Sequence, residues 1–312
     1  KRDIDTALDS WYHHDFGQSW KHHNWELTFH RAGHIPGAAM LHVQTPEKSI
    51  LLTGDFDTRD SSLVEGAKPV LADILFIEGT YGGRYHPDKM EETQRFLEAV
   101  DRVVRRGGTV LIPAFANGRT QDVVMILHKH RPHLNVHVDG MGKRVAKNHL
   151  SHPSFLKDAS GLERAWRWAK KVSSKSDKKK ALGADVIVST SGMLEGGPAL
   201  WYLNRLRHDR KNAVFFTGYQ AEGTGGRELL ETSHLNIYRE RVYVPLETEQ
   251  FSFSTHAGQK EILEFAKACQ AKHVIVYHAD AQTARPPLLA ALQEQGHTVH
   301  EPQNGKSYII QD

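Results

Sequence analysis

Short apolar runs rich in β-branched residues recur along the chain at 50–53, 74–77, 109–112, 185–189, 213–217, 242–245 and 273–277. Within them apolar residues follow one another instead of alternating with polar ones, which predicts buried strands. Between them the period changes. Phe96, Leu97, Val100, Val103 and Val104 fall on one face of a helix that Pro87-Asp88 starts and Gly107-Gly108 stops. Similar helices are expected at 119–129, 198–207, 259–269 and 287–295. Strands and helices alternating in this way predict an α/β protein with mostly parallel sheets.

The length of 312 residues suits about two domains, since one domain commonly takes ~100–200 residues. With 39% hydrophobic and 25% charged residues the chain has the balance of a globular protein, which argues against disorder. No run of ~18 apolar residues predicts a membrane-spanning helix. No charged-then-apolar leader is read at the start, although Lys1 rather than Met stands first, which leaves room for a preceding segment. A lone cysteine, Cys269, follows Phe265 and Ala268 on a helical pattern. It is expected as a buried core thiol in a reducing, cytoplasmic setting.

A net charge of +3 permits a polyanionic partner without requiring one. The charge is uneven. Residues 164–180 hold eight Lys or Arg together with Trp166 and Trp168, and end in Lys178-Lys-Lys180. Such a stretch can follow a nucleic-acid backbone and stack bases, while a solvated helix and loop accounts for the same composition. Histidine, at 21 residues, is the compositional outlier and the commonest metal ligand.

Glycine-bearing turns follow the predicted strands in a fixed series: Ala32-Gly-His-Ile-Pro-Gly37, Thr53-Gly-Asp-Phe56, Phe76-Ile-Glu-Gly-Thr-Tyr-Gly82, Pro113-Ala-Phe-Ala-Asn-Gly-Arg-Thr-Gln121, Ser191-Gly-Met-Leu-Glu-Gly-Gly-Pro198, Thr217-Gly-Tyr-Gln-Ala-Glu-Gly-Thr-Gly-Gly-Arg227, Phe253-Ser-Thr-His256 and Tyr277-His278. In this order they resemble the β-CASP branch of the metallo-β-lactamase superfamily, zinc-dependent nucleases that include the endonuclease subunit of the cleavage and polyadenylation specificity factor and ribonuclease J. The resemblance runs from about residue 25 to the C-terminus. It implies a partial metallo-β-lactamase αββα fold with an inserted α/β β-CASP domain: lactamase-like residues 1–83, the β-CASP domain at 84–248, and a lactamase-like return at 249–312. The family's first metal motif, His-x-His-x-Asp-His, does not occur in the 312 residues.

Hydrolysis of a phosphodiester at neutral pH benefits from two metal ions, which lower the pKa of water and stabilise the attacking and leaving oxygens. His and Asp are suitable zinc ligands. The resemblance implies two zinc ions in a complete site, with His34, Asp55 and His278 as ligands and Asp55 bridging. Asp55 follows an apolar run, where α/β sheets hold functional groups, and Asp57 is a local competitor for the role. Glu78 and His256 match the family's acid pair, in which a carboxylate orients a histidine and favours its charged form. Catalysis is thereby expected from Glu78, His256 and Asp55. For substrate phosphates, Arg119 and Arg227 could donate charged hydrogen bonds, and backbone amides at Ser191-Gly192, Gly196-Gly197 and Gly223–Gly226 could form a cradle. Tight turns and internal ion pairs explain those residues equally well.

Three positions depart from the family pattern: Ala38 for serine, Gly258 for aspartate, and Ala279-Asp280 for Gly-Glu. The resemblance implies an RNA-cleaving, endo- or 5′-exonucleolytic enzyme leaving 5′-phosphate and 3′-hydroxyl ends. RNA is expected over DNA because the RNA branch has histidine at the position of His278, where the DNA-repair branch has valine. The alternative is a catalytically silent RNA-binding or scaffold subunit, which the missing motif favours. Expected partners are RNA and an N-terminal companion segment or second polypeptide, with a homodimer left open. Without that companion, weak zinc binding, little activity and exposed apolar surface are expected.

Overall fold

A computed structural model describes residue 6 and residues 11–310. The chain opens with strands β1 (Ser19–His22), β2 (Trp25–Arg31), β3 (Ala39–Gln44), β4 (Ser49–Leu52) and β5 (Ile74–Glu78). Then come α1 (Lys89–Arg105), β6 (Val110–Pro113), α2 (Arg119–His130), β7 (Val136–Asp139), α3 (Gly142–Ser151), α4 (Ala159–Trp168), β8 (Lys170–Lys171) and α5 (Lys175–Lys180). They are followed by β9 (Val186–Ser189), α6 (Gly197–Leu206), β10 (Ala213–Phe216), α7 (Gly225–Thr232), β11 (His234–Ile237), β12 (Glu240–Tyr243) and β13 (Glu247–Gln250). The chain closes with α8 (Gln259–Cys269), β14 (His273–Tyr277), α9 (Arg285–Glu294) and β15 (Thr298–His300). Among the described residues, no helix is long and apolar enough to cross a membrane.

Two compact units form. The first takes the chain up to Arg59, 66–85 and 256 onward; the second takes 60–65 and 86–255. In the first unit a seven-stranded sheet has the order β1-β2-β3-β4-β5-β14-β15. Pairing is antiparallel from β1 to β4 and parallel from β4 to β15. Side chains alternate across a strand, and Met40, Leu51, Leu75, Ile77, Val274 and Val276 all turn to one face with no exposed surface. They pack with Ile262, Phe265 and Cys269 of α8 and with Leu288 and Leu292 of α9. The lone thiol is therefore in the core, and burial pushes its pKa up to about 11. On the other face Leu27, Phe29, Leu41, Ile50, Leu52, Ile74 and Phe76 are only partly buried.

The second unit contains a six-stranded parallel sheet, β13-β10-β6-β9-β7-β8. Strands β6, β9 and β10 are buried at every residue, as their apolar runs require, and so is β7, although its Val-His-Val-Asp alternates. Helix α1 begins where Asp88 accepts hydrogen bonds from the Met90 and Glu91 amides and ends before Gly107. Its apolar face lies in the core, with Phe96 edge-on to Phe251 and Phe253 at 5.2 and 5.4 Å between ring centres.

One predicted strand is corrected. Residues 242–245 do not form a buried sheet strand: β12 pairs antiparallel with β11 in a separate two-stranded hairpin and is mostly exposed. Tyr238 and Arg239, with φ of 52° and 73°, form its two-residue turn, the geometry that suits the twist of a hairpin. Continuous apolar runs also miss β2, whose Trp-Glu-Leu-Thr-Phe-His-Arg places apolar and polar residues by turns on the two faces of the strand.

Replacing Phe96 by alanine is expected to cost about 3–5 kcal/mol, the usual loss for a buried aromatic ring. The urea transition of the second unit should fall accordingly; a loss under about 1 kcal/mol would show that this ring is not central to the core.

Candidate metal centre

Parallel pairing of β4, β5 and β14 sets three strand ends side by side, with Leu52 opposite Phe76 and Tyr277 opposite Glu78. Asp55 follows β4, Glu78 is the last residue of β5, and His278 comes directly after β14 with a left-handed φ of 47°. His34 arrives from the β2–β3 turn, closed by hydrogen bonds from the Ala32 amide to the Ala38 carbonyl and from the Ala38 amide to the Ile35 carbonyl, each 3.0 Å. His256 precedes α8, and the Ala257 amide donates to the Phe56 carbonyl at 2.7 Å, which ties His256 to the Asp55 loop. All five expected residues belong to the first unit.

Gly33 makes the approach of His34 feasible. Its φ is +73°, and a Cβ there would lie 2.2 Å from the Asp57 carbonyl oxygen and 2.7 Å from the Ala67 nitrogen. Only glycine fits that spacing.

Donor atoms of His34, Asp55 and His256 lie within 4.8 Å of one another, and so do those of Asp55, Glu78 and His278. Asp55 is common to both groups. His278 Nδ1 is 3.0 Å from Asp55 Oδ1, and the rings of His34 and His256 are 4.5 Å apart. Asp57, the competing carboxylate, is buried and committed to Arg59, which donates from Nε at 3.0 Å and Nη2 at 2.8 Å. Both its oxygens are thus engaged, whereas Asp55 belongs to both donor groups.

Glu78 has no exposed surface. Its Oε1 meets His256 Nδ1 at 2.8 Å and the Phe56 amide at 3.2 Å, and Oε2 accepts from the Thr80 amide at 3.0 Å. Burial alone would raise its pKa, but the His256 hydrogen bond and charge, with Thr80, hold it below the usual carboxylate value. The converse holds for His256. Burial disfavours its charge, yet the Glu78 hydrogen bond and the charges of Glu78, Asp55 and Asp57 raise its pKa. With Nδ1 engaged, chemistry toward a ligand or substrate runs through Nε2. Thr80, not singled out from sequence, also supports His278, with its Oγ1 at 3.4 Å from Nδ1 and donating to the His278 carbonyl at 3.4 Å; the only sign of it was its place in the Glu-Gly-Thr-Tyr run.

The expected substrate residues Arg119, Ser191, Gly192 and Arg227 belong to the second unit, around the ends of β6, β9 and β10. Arg119 is nearly buried and donates to Asp122 Oδ2 at 2.7 Å, so the internal ion pair is realised. Ser191 Oγ accepts from the Glu195 amide, and Gly192 lies against Phe115, whose nitrogen a Cβ would approach to 2.8 Å. Arg227 donates to Glu231 at 2.5 Å. In the turn expected as a phosphate cradle at 223–226, the Gly225 amide donates to Glu195 and the Gly226 amide to the Met193 carbonyl, both at 2.8 Å. These amides hold the turn together.

Gly33→Ala is expected to lower stability by more than about 1 kcal/mol, as side chains do at incompatible φ, and to weaken zinc binding in parallel. Unchanged unfolding and metal titration would show that the His34 turn tolerates the added carbon.

Two family models match the chain, the Beta-Casp domain over residues 120–229 and the Zn-dependent metallo-hydrolase RNA specificity domain over 241–297. "Probable RNase MJ4" from Methanocaldococcus jannaschii is 37% identical over 260 residues, covering 80% of this chain and 60% of the relative. "Ribonuclease TTHA0252" from Thermus thermophilus is 30% identical over 313 residues, covering 94% of this chain and 72% of the relative. A solved structure of a protein of unknown function from Enterococcus faecalis V583 shares the fold at a TM-score of 0.57 and 11% identity, over 94% of this chain and 65% of that one. The chain thus spans about three-fifths of the length of its archaeal relative. With 30% identity across most of both sequences and both domain models in register, the chain belongs to the β-CASP family of metallo-β-lactamase-fold nucleases.

Proposed function

We propose that this chain carries the acid pair and part of the metal-binding machinery of a zinc-dependent RNA phosphodiester hydrolase, with the first unit as its lactamase-like domain and the second as its β-CASP insert. One observation carries the reading: the buried Glu78–His256 pair stands beside two donor clusters that share Asp55. The names of the relatives, an RNase and a ribonuclease, and of the RNA specificity domain support RNA as substrate. A single buried thiol is consistent with a cytoplasmic protein.

Imidazole and carboxylate donors at this spacing fit zinc. His34 and His278 would each hold an ion on their own side of Asp55. Zinc there would supply Lewis acidity and lower the pKa of a nucleophilic water. The protein's own work is proton transfer: His256 keeps its Nδ1 proton on Glu78, and Nε2 delivers a proton to the departing ribose oxygen. A second reading has a specific observation behind it. His256 lies in ligand range of His34 and Asp55, and a metal-bound histidine commonly donates its other nitrogen to a carboxylate, as His256 does to Glu78.

Metal analysis separates the two. His256→Ala should retain zinc and slow RNA cleavage by about 10²–10⁴, the usual worth of general acid–base catalysis, whereas Asp55→Ala should lose both. Zinc lost in step with activity in His256→Ala would make His256 a ligand.

The reading includes a companion segment, on this polypeptide or another. Three ligands divided between two ions fall short of the three plus water that each catalytic zinc takes, and the partly buried apolar face of the first unit's sheet is a surface suited to a covering layer. Residues 1–312 alone should bind zinc weakly and cleave RNA poorly, with both restored by the companion. Two tightly bound zinc ions and full cleavage without it would overturn this part; restored zinc without cleavage would favour the silent subunit.

A further inference from the structure

On the second unit, α3, α4 and β8 border a groove of about 620 Å³ lined by Lys143, Arg144, Lys147, Trp166, Lys171 and Ser173. We infer that this groove and the adjoining face of β8 and α5 form an auxiliary binding surface for single-stranded RNA, distinct in residues from the metal centre. The inference rests on the RNA reading above.

Charge is the first argument. Arg144, Lys147, Lys170, Lys175, Lys179 and Lys180 are exposed and form no ion pair among the described residues. The nearby acids are fewer and mostly engaged. Glu163 pairs with Arg167 and Asp139 with Lys143 and Lys178, while Asp177 accepts from the Ser173 and Ser174 amides and its charge acts on Lys180. The surface therefore presents an excess of positive charge along one edge of the sheet, which suits a polyanion.

Shape and chemistry narrow the partner. Lys171 is held under the groove: its ammonium donates to the carbonyls of Trp166 and Ala169 and stands 6.0 Å from the Trp166 ring. Lys143 is likewise held by the Val172 carbonyl and Asp139. These partly buried stems fix a floor on which Arg144 and Lys147, two positions of one helix about a turn apart, stay exposed to meet phosphates. A concave basic strip with an indole in its wall suits a flexible strand that can turn a base toward the ring, as single strands do. Lysines on β8 also guard an edge strand against pairing with other chains, a role that Arg144 and Lys147, which lie on a helix, do not share.

Fluorescence anisotropy with labelled oligo(U), under chelator so that the probe is not consumed, compares the full chain with an Arg144→Gln/Lys147→Gln variant. Each phosphate contact to a single strand contributes about 0.7 to the salt slope, so losing two should lower the slope by about 1.4 and weaken binding roughly 25-fold at ~0.1 M salt. Poly-glutamate should compete poorly. Unchanged affinity and slope in the variant, with RNA still bound, would overturn the inference and leave the RNA reading standing. Equal competition by poly-glutamate would overturn it in favour of an acidic protein partner. No RNA binding by the unaltered chain would remove both.

Discussion

A carboxylate without exposed surface stays ionised only where hydrogen bonds replace the water it has lost. Glu78 meets that condition with the Phe56 amide, the Thr80 amide and the His256 ring. Each donor comes from a different segment: the loop after β4, the turn after β5, and the approach to α8. Holding one buried charge thus fixes three loops at once. Asp55 directly precedes Phe56, and Thr80 reaches across to His278, so the positions of Asp55 and His278 depend on the same carboxylate. Removing the charge would leave donors from three loops unpaired in the interior, which is why the centre is held together by a residue with little access to a ligand.

The mixed pairing of the first sheet follows from what each strand must deliver. Parallel neighbours end at the same edge, so β4, β5 and β14 bring Asp55, Glu78 and His278 together without any long loop. An antiparallel neighbour ends at the opposite edge, but its hairpin turn returns to the first one. The β2–β3 turn does this and supplies His34. One sheet edge therefore gathers four side chains by two different uses of strand direction.

Much of this was legible in the sequence for a physical reason. Continuous apolar runs mark these strands even though one face of the sheet is only partly buried, and the runs at 50–53, 74–77 and 273–277 lead within two residues to Asp55, Glu78 and His278. Helix α1 was readable because its cap, stripe and terminating glycines agree. The hairpin at 234–243 was not, since Val-Tyr-Val-Pro reads as a core strand while the positive φ of Tyr238 and Arg239 is invisible in residues that are not glycine. The placement of Asp57 also escaped the sequence. Two carboxylates two residues apart cannot be ranked until one is found bound to Arg59 in the interior. The glycine turn at 223–226 shows another limit, because composition does not reveal that the Gly225 and Gly226 amides already have partners inside the protein.

Histidine abundance, the most conspicuous compositional feature, divides on one physical property. Burial lowers the proton affinity of His30, His42, His137 and His149, and each keeps a buried ring nitrogen without a hydrogen-bond partner. Such rings behave as neutral packing groups. Their desolvation is accepted because an uncharged imidazole loses little by leaving water compared with a charged one. His256 is partly buried too, and burial alone would lower its proton affinity, yet that affinity rises because Glu78 accepts its hydrogen bond and the charges of Glu78, Asp55 and Asp57 lie nearby. The same burial therefore has opposite consequences according to whether a carboxylate is placed within hydrogen-bond distance. The general-acid role proposed for His256 requires the second arrangement, and strand β5 supplies it by ending in a glutamate whose side chain is already anchored.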